Sequence, residues 1–195
     1  MMRPLFSPRI GIFSAIILNI LLGSAPTAHA HLNSVSYSMI DITDKEVRIE
    51  LRYTLLCTLE LFPADRDGDF SLSDEELKDL KPMMFYYLNN KIKVLSGGLQ
   101  LKMEIKHLRF SVEEDDSFVI ADLSFPAKEA AIESVIILCN LSEEADIYHR
   151  NLSQIKMKGE EYLFVFTNSN YFNSLHPPKS QSAKSASIPS SATEK

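Results

Sequence analysis

The amino-acid sequence predicts a mainly β protein: an antiparallel, immunoglobulin-like β-sandwich with an inserted EF-hand-like loop and short helices. Apolar and polar residues alternate with a period of two in several short segments, a pattern typical of strands with one buried face. Turn-forming residues separate these segments, as in antiparallel sandwiches. One acidic segment interrupts the pattern, and it contains the residues most typical of a binding site.

The first 30 residues have the organisation of a cleavable signal peptide. Two arginines precede an apolar run over residues 10–22, and an Ala-His-Ala cleavage motif ends at residue 30. The run is shorter than the roughly 20 residues that a membrane span needs. We therefore expect a mature chain that starts at His31, lacks a transmembrane segment and is periplasmic or secreted.

The 145 residues from 31 to 175 are expected to form one acidic domain. The 195-residue chain has 20 Lys and Arg against 26 Asp and Glu. Two arginines lie in the leader, and three lysines and one glutamate lie in residues 176–195, so the domain has a net charge of −10. Binding to nucleic acid requires clustered cations, so we exclude it as a partner. The Ser, Pro and Lys composition of residues 176–195 predicts a disordered tail.

The longest strand pattern runs from Val47 to Cys57, where every second residue is apolar. The pattern suggests that extended structure continues to Phe62, so that no full helix precedes the acidic segment. Shorter segments of the same kind predict further strands at residues 35–39, 99–105, 118–123, 135–139, 152–157 and 162–166.

The acidic segment Asp65–Glu76 matches the twelve-residue calcium loop. Carboxylates occupy positions 1, 3 and 5, an aliphatic residue occupies position 8, and Glu occupies position 12, where a bidentate ligand is expected. Leu72 is expected to anchor the loop in the core. The predicted Ca²⁺ ligands are the side chains of Asp65, Asp67 and Asp69, the carbonyl of Ser71, Ser73 through a water molecule, and both oxygens of Glu76.

One position departs from the loop pattern, because Phe70 stands where Gly normally allows a sharp turn. Forcing a bulky residue to positive φ costs roughly 1–2 kcal/mol. Either the loop bends differently, or it binds Ca²⁺ weakly, or it is vestigial. A capping box from Ser73 to Glu76 would explain the end of the segment, but not the three aspartates before it.

A helix is predicted to start after the loop near Glu75, and Pro82 is expected to kink or end it. A second helix would then start with Pro82 at its first position. The whole insertion into the sandwich covers residues 63–90.

Several features outside the loop follow a familiar order along the chain. They are His31, Ser36-Tyr37, Val47–Tyr53, Asp65–Glu76, Asp146–Arg150 and Lys156–Phe166. This order resembles the extracytoplasmic N-terminal domain of HupE/UreJ-type membrane proteins, a nickel-permease-like group. The resemblance implies a periplasmic metal-handling accessory for Ni or Cu that serves a separate membrane permease or another envelope protein. The membrane spans of that group are missing, so transport itself is not implied.

Histidines suggest two further sites. Asp146, His149 and Arg150 could form a second polar site, although a loop His-Arg pair is more often a structural corner. After cleavage, the α-amine and imidazole of His31 could chelate Cu²⁺ if His107, His149 or Asp146 lay nearby. The alternative is that His31 is an ordinary terminal residue.

Cys57 and Cys139 each stand at the end of a predicted strand in a chain directed to an oxidising compartment. They form either a disulfide or two buried thiols, and the sequence does not distinguish the two.

Catalytic motifs give no positive signal. The chain has no nucleophile elbow, phosphate loop or HExxH, and Ser153-Gln-Ile-Lys156 matches S-x-x-K without a companion motif. We therefore predict a binding or structural protein and not an enzyme.

Overall fold

A computed structural model describes residues 34–176, except residues 115, 128–130, 143 and 145. The predicted signal peptide, His31 and the predicted tail beyond His176 lie outside the described residues. The described part of the chain contains ten strands and two helices. The strands are β1 Val35–Ile42, β2 Glu46–Thr54, β3 Ile92–Ser96, β4 Leu99–Gln100, β5 Glu104–Glu113, β6 Asp116–Pro126, β7 Val135–Cys139, β8 Arg150–Met157, β9 Glu160–Phe166 and β10 Phe172–Leu175, and the helices are α1 Leu55–Leu61 and α2 Asp74–Lys91.

The strands form two sheets, which confirms the predicted mainly β, sandwich-like fold. The larger sheet has the order β5-β6-β2-β1-β8-β9, and the smaller has the order β10-β7-β3-β4. Neighbouring strands are antiparallel, with one exception within the described ranges: β1 and β8 are parallel, with Ser36 opposite Asn151 and Ile40 opposite Ile155.

The alternating pattern of β2 separates a buried face from an outward face, as the sequence predicted. Val47, Ile49, Leu51 and Tyr53 are at most 2% exposed, and the residues between them face away from the core. Ile137 of β7 is fully buried on the opposite side of the sandwich. The apolar faces of the two sheets therefore pack against each other, as in other sandwiches.

The prediction of extended structure up to Phe62 is wrong, because β2 ends at Thr54 and α1 starts at Leu55. The Thr54 hydroxyl caps the helix by accepting a hydrogen bond from the Cys57 amide at 3.3 Å. Leu55 and Cys57 are buried in the helix, just as they would be in a strand. Over so few residues, alternation could not distinguish the two structures.

The prediction that Pro82 ends one helix and starts a second is wrong, because α2 is a single helix that continues through Pro82 to Lys91. The proline is exposed to solvent. Leu80 and Met84, on either side of it, are completely buried in the core. The packing of these side chains stabilises the helix on both sides of Pro82 despite the missing amide donor.

The strand predicted over residues 99–105 is divided between two elements. The short β4 ends at Gln100, and β5 starts only at Glu104 and continues to Glu113. A bulge in β5 lies between Ile105 and His107. Bulges interrupt the regular alternation of strands, which explains why the sequence pattern ended too early.

Candidate metal centre

The acidic loop connects α1 to α2 and is anchored in the core at both ends. Phe62 and Ala64, which precede it, are 7% and 4% exposed. Leu72 near its end is 5% exposed, as expected for the apolar residue at position 8. The loop is thus preceded by a short helix as well as followed by one, which the sequence had not predicted.

Asp65 organises the first half of the loop through its carboxylate. Its Oδ1 accepts a hydrogen bond from the Gly68 amide at 2.7 Å, and its Oδ2 accepts one from the Phe70 amide at 3.0 Å. Asp69 Oδ1 accepts a further bond from the Ser71 amide at 2.8 Å. The backbone of the loop therefore winds around these two carboxylates.

Phe70 adopts the left-handed conformation, with φ 59°, and Gly68 has φ 75°. The sixth position of the loop therefore makes the turn that Gly usually makes there. The ring of Phe70 is 66% exposed, so it gains little from packing. For a bulky residue this conformation costs roughly 1–2 kcal/mol. The turn at position 6 is therefore kept, at a cost in stability.

Three of the predicted ligand side chains lie together. Asp65, Asp67 and Glu76 each offer a carboxylate oxygen within 4.8 Å of the other two. This spacing is compatible with one cation between them, because Ca²⁺–oxygen distances are about 2.3–2.6 Å. Asp69 is not a member of this trio.

The side chain of Glu76 is held in position by hydrogen bonds within the protein. Its Oε1 accepts a hydrogen bond from the Arg66 amide at 2.7 Å, and its Oε2 accepts bonds from the amide and hydroxyl of Ser73 at 2.9 and 2.8 Å. These bonds, that from Arg66 first, lower the pKa of Glu76 to about 2. Glu76 is therefore ionised at neutral pH, and Ser73 caps α2 in a capping box. The capping box and the acidic trio share this one carboxylate.

The predicted second polar site is not assembled as an open site. His149 is 2% exposed, with Nδ1 3.0 Å from the Ser34 hydroxyl and Nε2 2.9 Å from the Ser36 hydroxyl. Arg150 is exposed, and Asp146 Oδ1 accepts a bond from the Tyr148 amide. His149 is thus a buried structural histidine, which was the alternative to the site.

The residues suggested for Cu²⁺ or Ni²⁺ are not brought together. His107 is exposed on β5, at the edge of the sheet opposite β9. His149 lies inside the sandwich with both ring nitrogens against serine hydroxyls. His31 lies outside the described residues.

Sequence reasoning missed a group of six polar residues that we term the polar ladder. It lies between β1 and β8 and consists of Ser34, Ser36, Ser38, His149, Asn151 and Ser153. The available signal was the pair of motifs Ser36-x-Ser38 and Asn151-x-Ser153, which place small polar residues at inward positions of alternating strands. Ser153 is buried here, whereas Lys156 is exposed and pairs with Glu161. Ser153 and Lys156, the two ends of the S-x-x-K match, therefore lie on opposite faces of β8.

The comparisons with known proteins identify no relatives. The chain matches no protein-family model, and no curated protein is significantly similar to it. The resemblance to HupE/UreJ-type domains therefore stays a prediction. Neither of the described helices is long and apolar enough to cross a membrane.

Both cysteines are buried, and no disulfide joins them in the structure. Cys57 lies in α1 and not at a strand end, whereas Cys139 ends β7. Burial raises the pKa of both thiols above the ordinary cysteine value. Neither thiol has the lowered pKa that reactive cysteines need.

Proposed function

We propose that this protein is a secreted or periplasmic calcium-binding module in which one EF-hand-like loop holds the ion. The observation that carries the proposal is the organisation of the loop around Asp65, with amides of two loop residues bonded to its carboxylate. The trio of Asp65, Asp67 and Glu76 supplies the negative charge for a divalent cation. Oxygen-only ligands favour Ca²⁺ over transition metals.

The bound ion would act as a structural tie. Asp65 follows the segment that leaves α1, whereas Glu76 lies in the first turn of α2. A cation shared by these two carboxylates would link the ends of both helices beside the core. The role that fits such a tie is to stabilise a surface for binding or assembly.

The expected affinity is low. A single loop with Phe70 at its turn should bind Ca²⁺ with a dissociation constant on the order of 10⁻⁴ to 10⁻³ M, the range of extracellular calcium modules. Such sites are filled at the millimolar Ca²⁺ found outside cells.

Calorimetric titration of the purified protein with Ca²⁺ tests the proposal, together with the melting temperature in EDTA and in 5–10 mM Ca²⁺, about five to ten times the weakest expected dissociation constant. We expect heat of binding and a higher melting temperature for the natural chain. Both should be lost in Asp65→Asn and Glu76→Gln. Gln at position 76 still completes a capping box, so its loss of binding would not reflect a lost helix cap.

Glu75→Gln is the matched control, because Glu75 is the exposed neighbour of Glu76, and it should bind Ca²⁺ like the natural chain. No heat and no stabilisation at millimolar Ca²⁺ would refute the proposal and favour a structural domain with a vestigial loop. Tighter binding of Ni²⁺ or Cu²⁺ than of Ca²⁺ would favour a metal-handling accessory of a membrane permease.

A further inference from the structure

The polar ladder lies inside the sandwich, so its polar groups depend on one another for hydrogen bonds. Ser36, Ser38, His149, Asn151 and Ser153 are all at most 4% exposed, and Ser34 is half-buried at the end of the ladder. A buried donor or acceptor without a partner costs about 1–3 kcal/mol. The ladder is therefore sensitive to the number and direction of its protons.

The contacts assign the protons of the ladder. Asn151 Nδ2 donates to Ser36 Oγ at 2.9 Å, which leaves the Ser36 hydroxyl proton available for His149 Nε2 at 2.9 Å. If Nε2 accepts this proton, the ring proton is on Nδ1 and is donated to Ser34 Oγ at 3.0 Å, so that each of these groups has a partner. A neutral histidine with its proton on Nδ1 thus satisfies this half of the ladder.

The other half of the ladder forms its hydrogen bonds within itself. The hydroxyls of Ser38 and Ser153 donate to Asn151 Oδ1 at 2.8 and 2.7 Å, and their oxygens lie 2.7 Å apart. The two hydroxyl protons of Ser38 and Ser153 are therefore shared among three close oxygen–oxygen contacts. The Ser38 and Ser153 oxygens keep unused lone pairs, but their contacts in the ladder are with Asn151 and with each other, so they do not accept from Ser36 or His149.

Protonation of His149 adds one hydrogen-bond donor to the polar ladder. Nε2–H would face the Ser36 hydroxyl, which would have to turn its own proton away. The Asn151 amide could rotate and accept that proton, but its NH₂ group would then displace the protons of Ser38 and Ser153. In either arrangement, one buried O–H group loses its acceptor within the ladder.

The surroundings of the ring also favour its neutral form. The ring of Tyr53 from β2 stacks on His149 with centroids 6.0 Å apart, and burial raises the pKa of Tyr53, so it brings no charge. Asp146, in the loop before β8, favours the protonated ring, but burial outweighs it and lowers the pKa of His149 to about 4.

We propose that His149 is an acid-sensitive switch whose protonation disrupts the polar ladder and loosens β8 and β9 from β1. The residues of the switch join the two strands of the parallel pair, Ser34, Ser36 and Ser38 from one side and His149, Asn151 and Ser153 from the other. The pairing of β3 with β7 in the other sheet contains none of these residues and should respond only through the global stability of the domain. The switch does not depend on binding of Ca²⁺ by the loop.

Urea denaturation of the purified protein between pH 7 and pH 5 tests the switch. The unfolded chain takes up a proton near pH 6.5, and the folded chain takes it up only near pH 4. Stability is therefore complete above pH 6.5 and declines as the pH falls, and the unfolding equilibrium constant should rise about twentyfold between pH 7 and pH 5. The carboxylates whose pKa is lowered have the ordinary value of 4.5 in the unfolded chain, so each adds only about a 1.3-fold change by pH 5.

His149→Gln, which cannot titrate, should remove most of this pH dependence. His107→Gln on the exposed part of β5 is the matched control and should keep it. Amide exchange, corrected for intrinsic rates, should accelerate more at pH 5 in β1 and β8 than in β3 and β7, where the acceleration should not exceed the change in global stability. An unchanged profile in His149→Gln would refute the proposal.

An NMR titration of the natural protein keeps the test decisive if His149→Gln does not fold. The His149 ring should stay neutral, with its proton on Nδ1, down to pH 5. Protonation of this ring between pH 6 and pH 7 would overturn the proposal.

Discussion

At the scale of single residues, Phe70 shows how a loop can keep its geometry with an unfavourable residue. Its amide bonds to Asp65 at 3.0 Å while its backbone has φ 59°. The hydrogen-bonded winding of the loop therefore outweighs the cost of the left-handed conformation. The sequence predicted that cost correctly, but it could not show that the turn is kept.

Phe70→Gly should stabilise the protein by about 0.5–1 kcal/mol. It removes roughly 1–2 kcal/mol of strain, and the greater freedom of Gly in the unfolded chain offsets about 0.4–1 kcal/mol of that gain. Urea denaturation measures the difference. Gly68→Ala is the opposite control, because Gly68 has φ 75° with open space around it, and it should destabilise by about 1 kcal/mol. A Phe70→Gly protein less stable than the natural chain would contradict the presence of strain at Phe70.

His149 illustrates what a sequence cannot reveal about a single residue. The motif of Asp146, His149 and Arg150 suggested either a polar site or a structural corner, and only the burial of the ring distinguishes them. The serines that bond to the ring lie more than 110 positions earlier in the chain. No local pattern around His149 could therefore have identified its partners.

At the scale of elements, the two helices show the limits of local rules. α1 went unpredicted because its buried residues also fit the alternation of β2, so the capping hydroxyl of Thr54 was the remaining signal. α2 was predicted as two helices because a proline lies inside it. Helix rules describe isolated segments, whereas Leu80, Met84 and Leu88 hold α2 against the core on both sides of Pro82.

Pro82→Ala should stabilise the protein by about 1–3 kcal/mol. Pro is about 3 kcal/mol less favourable than Ala inside a helix, and the new amide could donate to the carbonyl of Lys78 one turn earlier. Thermal or urea denaturation measures the gain. Lys78→Ala, an exposed change on the same helix, should alter stability by less than about 0.5 kcal/mol. A neutral or destabilising Pro82→Ala would show that the helix is adapted to a kink at this position.

At the scale of the whole molecule, the period-two pattern predicted the sandwich because alternation records which face of each strand is buried. It could not predict the order of strands in the sheets, since strands of similar pattern are interchangeable in sequence terms. The parallel pairing of β1 with β8 is the clearest case. Of the candidate metal centre, the positions of Asp65, Asp67 and Glu76 were predicted from spacing, whereas Asp69 lies apart from the trio.

The packing of the two sheets can be tested at Ile137, which is completely buried on β7. Ile137→Ala should cost about 2–5 kcal/mol, because it removes buried apolar area and leaves a cavity between the sheets. Ile147→Ala is the matched control, since Ile147 is 63% exposed, and its cost should be below about 0.5 kcal/mol. Equal effects of the two changes in urea denaturation would contradict the sandwich core.

The parallel pair also determines the order in which the sheet can be completed during synthesis. β1 is made early and can pair at once with β2 across a short turn. Its other edge stays open until β8, about 115 residues later in the register, has been made. Long-range pairing of this kind is slow and exposes strand edges to other chains. A nascent chain interrupted before residue 150 would therefore carry a central strand with one unpaired edge, lined with serines in place of apolar residues near its start.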